Sequence, residues 1–588
     1  MPDKDNRKNT GKKDSRVIRK IQLEKERDVF DPDPLEEVKF DISEEDVERY
    51  RRLEQEKAKR KDREAEKRRA AGKTKTARTG SRPGRVIKKE NLEEVDEAWL
   101  SMAAAGSDTV FGGMLKQRDT NKEILRLNLA VLIIFFGMIA YFIYFSTARA
   151  KSVVNNPHNG LLSVLEDKVV RGDIMASDGT VLATTLVNSD GTMEREYPYG
   201  RLFAHAVGTS EINLSGAELY AGYDLVSSDT GILEGILYDI TGQRPPGHSV
   251  YTTLDLELQK AAYDALGDRN GVVVAIEPST GKILAMVSKP DYDPNTLTST
   301  YYDLVDDEDN NVLYNRATLG LYAPGSVFKI VTTTAFLRSG AHTDDFTYTC
   351  EGSIYLYNED DSVSPLNCYH GEVHGLIDFE EAFAESCNSA FADIGIRLGA
   401  KQLRAAAESL YFNKDLPGSI NTSTSSFTLT TYDSQWKTGA TSIGQGDTLM
   451  TPLHAALLAS AIANDGVLCE PYLIEKVVSS SGEVLETTQV KEPGTLFSNS
   501  ELSTLLEYMK AVVDYGTAAG LNSLSYDVAG KTGTAEVSGQ SGDNAWFVGF
   551  APADDPKIAI CVLVEDSGAS SQYAVPVARQ IFEEYLGD

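Results

Sequence analysis

The sequence predicts an α/β chain of the α+β kind: one antiparallel sheet flanked by helices, reached through a single membrane-length apolar segment. Two strand-like pairs predict the sheet. Residues 272–276 and 282–287 flank the turn Pro278-Ser279-Thr280-Gly281, and residues 545–550 and 558–564 stand on either side of a Pro/Asp turn. Apolar, β-branched runs bounded by turn residues read as strands. The stretch between the pairs is largely helical in pattern, as at 453–463, and a helical run over 575–586 closes the chain. Strands at both ends of a helical middle meet most simply in one sheet with helices packed on its faces.

At 588 residues the chain exceeds one ordinary domain. Its apolar fraction of 41% fits a globular protein and excludes a polytopic membrane protein. Charge divides the chain. Of 58 Lys+Arg and 88 Asp+Glu, 33 and 28 fall in residues 1–126 (net +5), which leaves 25 and 60 beyond (net −35). A surface that acidic repels nucleic acid. Five cysteines in such a length do not make a disulfide scaffold.

Residues 1–120 are rich in charge and poor in aromatics, too polar to offset the entropy of ordering, so a largely disordered tail is expected. Within it, 44–71 alternates acid and base densely enough for a solvated single helix, or for a contact with anionic lipid or a partner. The run LNLAVLIIFFGMIAYFIYF follows from Leu127 with no charge, and 127–146 reads as a transmembrane helix. The 126 residues ahead of it exclude a cleaved signal peptide. Lys116, Arg118, Lys122 and Arg126 before the run outnumber Arg149 and Lys151 after it, which places the N-terminus in the cytoplasm and the remainder outside the cell membrane. Residues 147–245 are mixed, with Arg171-Gly172-Asp173-Ile174 as a turn and 177–183 as a hairpin tipped by Asp178-Gly179. Residues 246–588 form the α/β domain.

Three short motifs in that domain carry chemistry. Ser326-Val327-Phe328-Lys329 follows Ala323-Pro324-Gly325 and precedes an apolar run, which marks a helix start. Residues three apart on a helix share a face, so Lys329 can sit beside the Ser326 hydroxyl. A serine hydroxyl needs a base to become a nucleophile, and a lysine serves once burial or nearby positive charge lowers its pKa. Free N–H groups at the helix start can face a developing oxyanion. Ser386-Cys387-Asn388 and Lys531-Thr532-Gly533-Thr534 come next in order. Singly these are weak signals: about two Ser-x-x-Lys matches arise by chance in a chain this long, though only about 0.1 Lys-Thr-Gly. The ordered trio is much harder to reach by accident than three unrelated surface or helix residues. Gly530-Lys531-Thr532 also imitates the end of a phosphate-binding loop, but that motif needs glycine where this chain has Ser525.

The trio resembles the penicillin-binding protein and serine β-lactamase superfamily. The likeness extends to Thr252-Thr253-Leu254-Asp255, to 287–295, to Gly444-Gln445-Gly446 with Thr451-Pro452, and to 530–536. Asn155-Asn156-Pro157, Arg171-Gly172-Asp173-Ile174 and Asp178-Gly179 resemble the pedestal of class B, monofunctional members of the penicillin-binding protein 2 type. The resemblance covers about 150–588 and implies a transpeptidase-like fold over 246–588 on a pedestal over 147–245. It implies a peptidoglycan D,D-transpeptidase that is trapped by β-lactams. Ser326 would attack the penultimate D-alanine carbonyl of a stem peptide, with Lys329 as base. Ser386 would relay a proton to the leaving D-alanine, and Asn388 would orient Lys329. Lys531 would tune the electrostatics. Thr532 and Thr534, with Gly533 between them, would bind the terminal carboxylate, and the N–H groups of Ser326 and Thr534 would form the oxyanion hole. No cofactor is implied for catalysis. A SEDS-type glycosyltransferase is the implied partner, because 147–245 is too short to hold a polymerase.

Cys350, Cys368, His374 and Cys387 fall within 38 residues. Three thiolates and an imidazole make a tetrahedral zinc shell, and the site resembles one in some elongation-type class B members that carry carboxylates in place of the first two cysteines. A Cys350–Cys368 disulfide, or neither, remains open. Cys469 and Cys561 lie in apolar runs and read as core; His370 reads as surface or structural. Two other functions compete with transpeptidation. One is hydrolysis, as in a D,D-carboxypeptidase or β-lactamase. The other is a non-catalytic β-lactam sensor, against which the single membrane helix and the absence of a His-Glu-x-x-His motif count.

Overall fold

The computed structural model describes residues 120–145, 166 and 168–587, apart from 211, 213, 308–310, 341–344 and 537–541. The tail over 1–119, its candidate helix at 44–71, and Asn155-Asn156-Pro157 lie outside the described residues. The helix Thr120–Tyr144 contains the expected apolar run as far as Tyr144, and its window Leu125–Tyr144 has a mean hydropathy of 2.3 with no residue buried. Twenty residues at about 1.5 Å each match a hydrocarbon core about 30 Å thick.

Two sheets organise the rest. The larger domain holds a five-stranded antiparallel sheet in the order Ala529–Ala535, Asn544–Ala551, Ile558–Val564, Gly271–Ile276, Ile283–Lys289. The two pairs foreseen from sequence therefore meet at its centre, where Val562 stands opposite Val273. Every residue of the inner strands is buried, on both pleat faces, so no polar alternation shows in their sequences. Helices Leu256–Leu266 and Ser570–Leu586 pack on the sheet and on each other. The helix Pro452–Ala463 packs on the three inner strands and is almost wholly buried. Its apolar character on all sides follows from that position. Thr451 caps it by accepting from the His454 N–H, and Pro452 fills the first turn.

The second sheet has six strands, in the order Val484–Thr487, Ile474–Val478, Ser249–Thr252, Ile174–Met175, Val181–Val187, Met193–Glu196. The 174–187 hairpin turns through Asp178-Gly179: Gly179 sits at φ +91°, and the Thr180 N–H donates to Asp178 Oδ1 at 2.8 Å. Strands from 249–252 and 474–487 complete this sheet, so it extends past residue 245 into the larger domain's sequence.

Beside that sheet, Glu218 is fully buried and accepts from Arg171 Nε at 2.7 Å and Arg195 Nε at 2.8 Å. Burial raises its carboxyl, but the two guanidiniums outweigh burial and hold it below the usual range. A buried charge pair that loses one partner costs about 3–5 kcal/mol. Glu218→Gln is expected to lose stability on that scale in chemical denaturation, and a loss under about 1 kcal/mol would contradict the buried pairing. The depressed carboxyl contributes stability above the ordinary glutamate range. The wild-type advantage is therefore present at neutral pH and disappears as pH falls through the folded pKa.

Candidate active site

The first motif forms a 3₁₀ turn, Gly325–Phe328, running into the helix Lys329–Arg338. In a three-residue turn positions i and i+3 eclipse, which aligns Lys329 with Ser326 more directly than an α-helical start would. Ser326 opens on a cleft of about 430 Å³ that also exposes Ser386, Asn388, Thr532 and Thr534. The Lys-Thr-Gly-Thr strand, Ala529–Ala535, is an edge strand of the five-stranded sheet, paired on one side only. It reaches the Ser326 turn because two glycines remove obstructing side chains. A Cβ on Gly533 would stand 2.9 Å from the Pro324 carbonyl oxygen, and one on Gly325, at φ +51°, would stand 2.8 Å from that of Thr534.

The second motif sits between two helices. Phe379–Ala384 ends, Ser386 turns the chain at φ +57°, and Asn388–Ser409 begins. A left-handed serine costs backbone energy and persists only where its surroundings fix it. Here the Ser386 N–H donates to the Phe383 carbonyl and the Cys387 N–H to that of Ala382, while the Ser386 hydroxyl engages both lysines.

Those lysines define the electrostatics. Lys329 Nζ donates to Ser386 Oγ at 3.1 Å, to the Ser386 carbonyl at 2.6 Å and to Asn388 Oδ1 at 2.8 Å. Lys531 Nζ donates to the same Ser386 Oγ at 2.9 Å. Both side chains are fully buried. Burial pushes the Lys329 ammonium down to about 8, and burial together with the charge of Lys329 holds Lys531 well below its ordinary value. Two ammonium heads sharing one hydroxyl titrate as a pair. A base must be neutral to take the Ser326 proton, so the acylation rate is expected to rise with pH through about 8 and fall off below it. Stopped-flow acylation by a penicillin between about pH 6 and 10 measures this, and a flat profile would exclude Lys329 as the titrating base.

The structure thus brings Ser326, Ser386, Asn388, Thr532 and Thr534 to one cleft, with Lys329, Lys531 and Gly533 buried next to them. It adds residues that no sequence motif marked. Ser570 Oγ donates to the Gly533 carbonyl at 2.6 Å and lies 2.9 Å from Thr534 Oγ1, and Thr517 Oγ1 lies 2.5 Å from Thr532 Oγ1. Tyr369, Glu372 and Glu385 also line the cleft. Glu385 adjoins Ser386 in sequence, which was the one available signal.

The four candidate metal ligands converge beside the second motif, and His374 also lines the cleft. Among the described residues Cys350, Cys368, His374 and Cys387 place their donor atoms within 4.8 Å of one another. Cys350 Sγ is 3.6 Å from Cys368 Sγ and 3.3 Å from His374 Nδ1, and Cys368 Sγ is 3.8 Å from Cys387 Sγ. Bonds of about 2.3 Å in a tetrahedron give sulfur–sulfur edges of about 3.8 Å, so the donor set fits zinc. All five cysteines are free thiols, so the Cys350–Cys368 disulfide is not formed. Cys469 and Cys561 are buried, and His370 is exposed beside the Tyr369 ring.

Comparison with known proteins fits this geometry. Residues 271–583 match the penicillin binding protein transpeptidase domain. The chain is 33% identical over 491 residues to the peptidoglycan D,D-transpeptidase PbpA of Mycolicibacterium smegmatis, covering 78% of this chain and 98% of the relative. This chain belongs to the class B penicillin-binding proteins of the PbpA-like type. Penicillin-binding protein A of M. tuberculosis, solved as its penicillin G acyl-enzyme complex, superposes on this penicillin-binding protein with a TM-score of 0.64 at 32% identity, covering 71% of this chain and all of that one. The peptidoglycan D,D-transpeptidase MrdA of Acinetobacter baumannii is 30% identical over 458 residues, covering 68% of this chain and 67% of the relative.

Proposed function

We propose that this cleft cross-links peptidoglycan stem peptides as a serine-type D-Ala-D-Ala transpeptidase, and that β-lactams trap it as an acyl-enzyme. The carrying observation is the Ser386 hydroxyl held between Lys329 and Lys531 in the cleft that Ser326 enters. Lys329 takes the Ser326 proton as Oγ attacks the penultimate D-alanine carbonyl, with the N–H groups of Ser326 and Thr534 stabilising the oxyanion. The C–N bond breaks, and Ser386 passes the proton to the departing D-alanine. Thr532 and Thr534 hold the terminal carboxylate on the exposed edge of their strand. An acceptor amine, after giving one proton to solvent, then attacks the ester. A C–N bond forms, the C–Oγ bond breaks, and Lys329 carries the amine's second proton back to Ser326.

A zinc ion bound by Cys350, Cys368, His374 and Cys387 would fix the backbone on which Ser386 and Asn388 stand, without taking part in the reaction. The apolar helix would anchor the enzyme as a single pass, its N-terminus cytoplasmic and its catalytic domain outside. A SEDS-type glycosyltransferase would supply the glycan strands. The test is to incubate the full-length protein with a stem-peptide donor, with and without an acceptor amine. Cross-linked product that appears only with the amine supports the assignment; free D-alanine with no cross-linked product in either arm would reassign the cleft to hydrolysis.

A further inference from the structure

Transpeptidation needs two substrates of opposite charge. The donor ends in a carboxylate, and the acceptor arrives as an ammonium at neutral pH. The lysines and threonines of the cleft suit the donor. Their positive field works against the acceptor, because like charges brought together in a partly desolvated cleft repel.

One side chain in the cleft has the opposite character. Glu385 lines it together with Ser326, Ser386 and Thr534. It closes the helix Phe379–Ala384, its own N–H donating to the Glu381 carbonyl at 2.9 Å. The next residue, Ser386, is locked in its left-handed turn by the bond to Phe383. The carboxylate is therefore borne on the same rigid backbone as the proton relay. It is half-buried, yet among the described residues it makes no ion pair and no side-chain hydrogen bond. Other carboxylates on this molecule that are similarly or more deeply buried, such as Glu218, Glu501 and Glu565, are paired with arginine. Lys531 and His374 act on the Glu385 charge from a distance. But a half-buried carboxylate with no direct ion pair or side-chain hydrogen bond among the described residues, in a cleft whose second substrate is a cation, is placed to take that cation. Glu372 lines the cleft as well, but it is exposed, and solvent screens it.

Resting on the transpeptidase reading, we propose that Glu385 is the acceptor-recognition residue. Its carboxylate receives the ammonium of the incoming stem peptide and holds that amine beside the Ser326 ester. The residue binds and orients; the proton transfers remain with Lys329 and Ser386. The substrate class this selects is an acceptor with a free, cationic side-chain amine.

The experiment uses the full-length protein in detergent with an acyl-D-alanyl-D-alanine donor and two competing acceptors. One is a peptide bearing a lysine-type ammonium. The other is hydroxylamine, a nucleophile uncharged at neutral pH. The readout is the ratio of the two transfer products. Glu385→Gln is expected to lower the ratio of cationic to neutral transfer roughly tenfold, and Glu385→Asp to restore most of it. A ratio in Glu385→Gln equal to that of the wild type, whatever the absolute rates, would overturn the proposal, because a structural role for Glu385 scales both products alike. Failure of the wild type to transfer to either acceptor would instead refute the transpeptidase reading itself.

Discussion

Alanine at Ser326 is expected to abolish covalent labelling by a fluorescent penicillin, with no band above background after hours of incubation. The expectation follows from the division of labour in the cleft. Lys329, Ser386 and Lys531 form a connected set of donors around one hydroxyl, and in the proposed mechanism none of them supplies the atom that becomes acylated. Removing Oγ leaves that set in place and removes the bond-forming atom. Residual turnover in serine enzymes lacking the nucleophile comes from binding and oxyanion stabilisation, and it proceeds without a covalent intermediate. Lys329→Ala should differ in kind: the nucleophile remains, so labelling continues, slowed by about 10²–10⁴-fold. Stoichiometric labelling of the Ser326→Ala protein would mean that another residue is the nucleophile, and every role assigned around Ser326 would fall with it. Intact-mass spectrometry of both variants after exposure to penicillin G gives the decisive comparison.

The parts of this molecule that were legible in the sequence share a cause. The strands at 271–276 and 558–564 are buried on both faces and bounded by turn residues, so composition alone declares them. The convergence of the three motifs was legible because each is short and its members are neighbours in sequence. What escaped is contact between distant stretches. Nothing local in Ile474–Val478 says that it pairs with Ser249–Thr252, which in turn lies beside Ile174–Met175. Thr517 and Ser570 reach the Lys-Thr-Gly-Thr strand from separate elements, with no pattern of their own. The Ser326 turn was read as the start of an α-helix, since Pro-Gly before an apolar run signals either kind of start. Contact with the strand that Gly533 allows to approach accompanies the tighter form. The left-handed backbone of Ser386 is likewise invisible in sequence, because serine carries no preference for it.

The cysteine quartet shows how a compositional hint becomes a prediction once coordinates are known. Four residues spread over 38 positions pointed first to a zinc site and left a disulfide, or neither, open. The structure gathers all four donors within 4.8 Å and leaves the sulfurs unbonded. The purified protein is expected to hold one zinc per chain by elemental analysis. Structural zinc in small sites contributes an apparent 10–16 kcal/mol or so at neutral pH, far more than any single side chain, so its loss should be felt widely. It should be felt first at Ser386 and Asn388, which flank Cys387 directly. The left-handed turn of Ser386 costs about 1–3 kcal/mol and is held partly by that neighbour. Cys368→Ser, which leaves the Ser326, Lys329, Ser386 and Lys531 side chains unchanged, should therefore lose the metal and lower the penicillin acylation rate by about two orders of magnitude, as supporting residues of metal sites do. Chelation of the wild type should reproduce that loss, and added zinc should reverse it. A Cys368→Ser protein that lacks zinc yet acylates at the wild-type rate would show that the second motif holds its shape without the metal, and that the quartet serves the fold elsewhere.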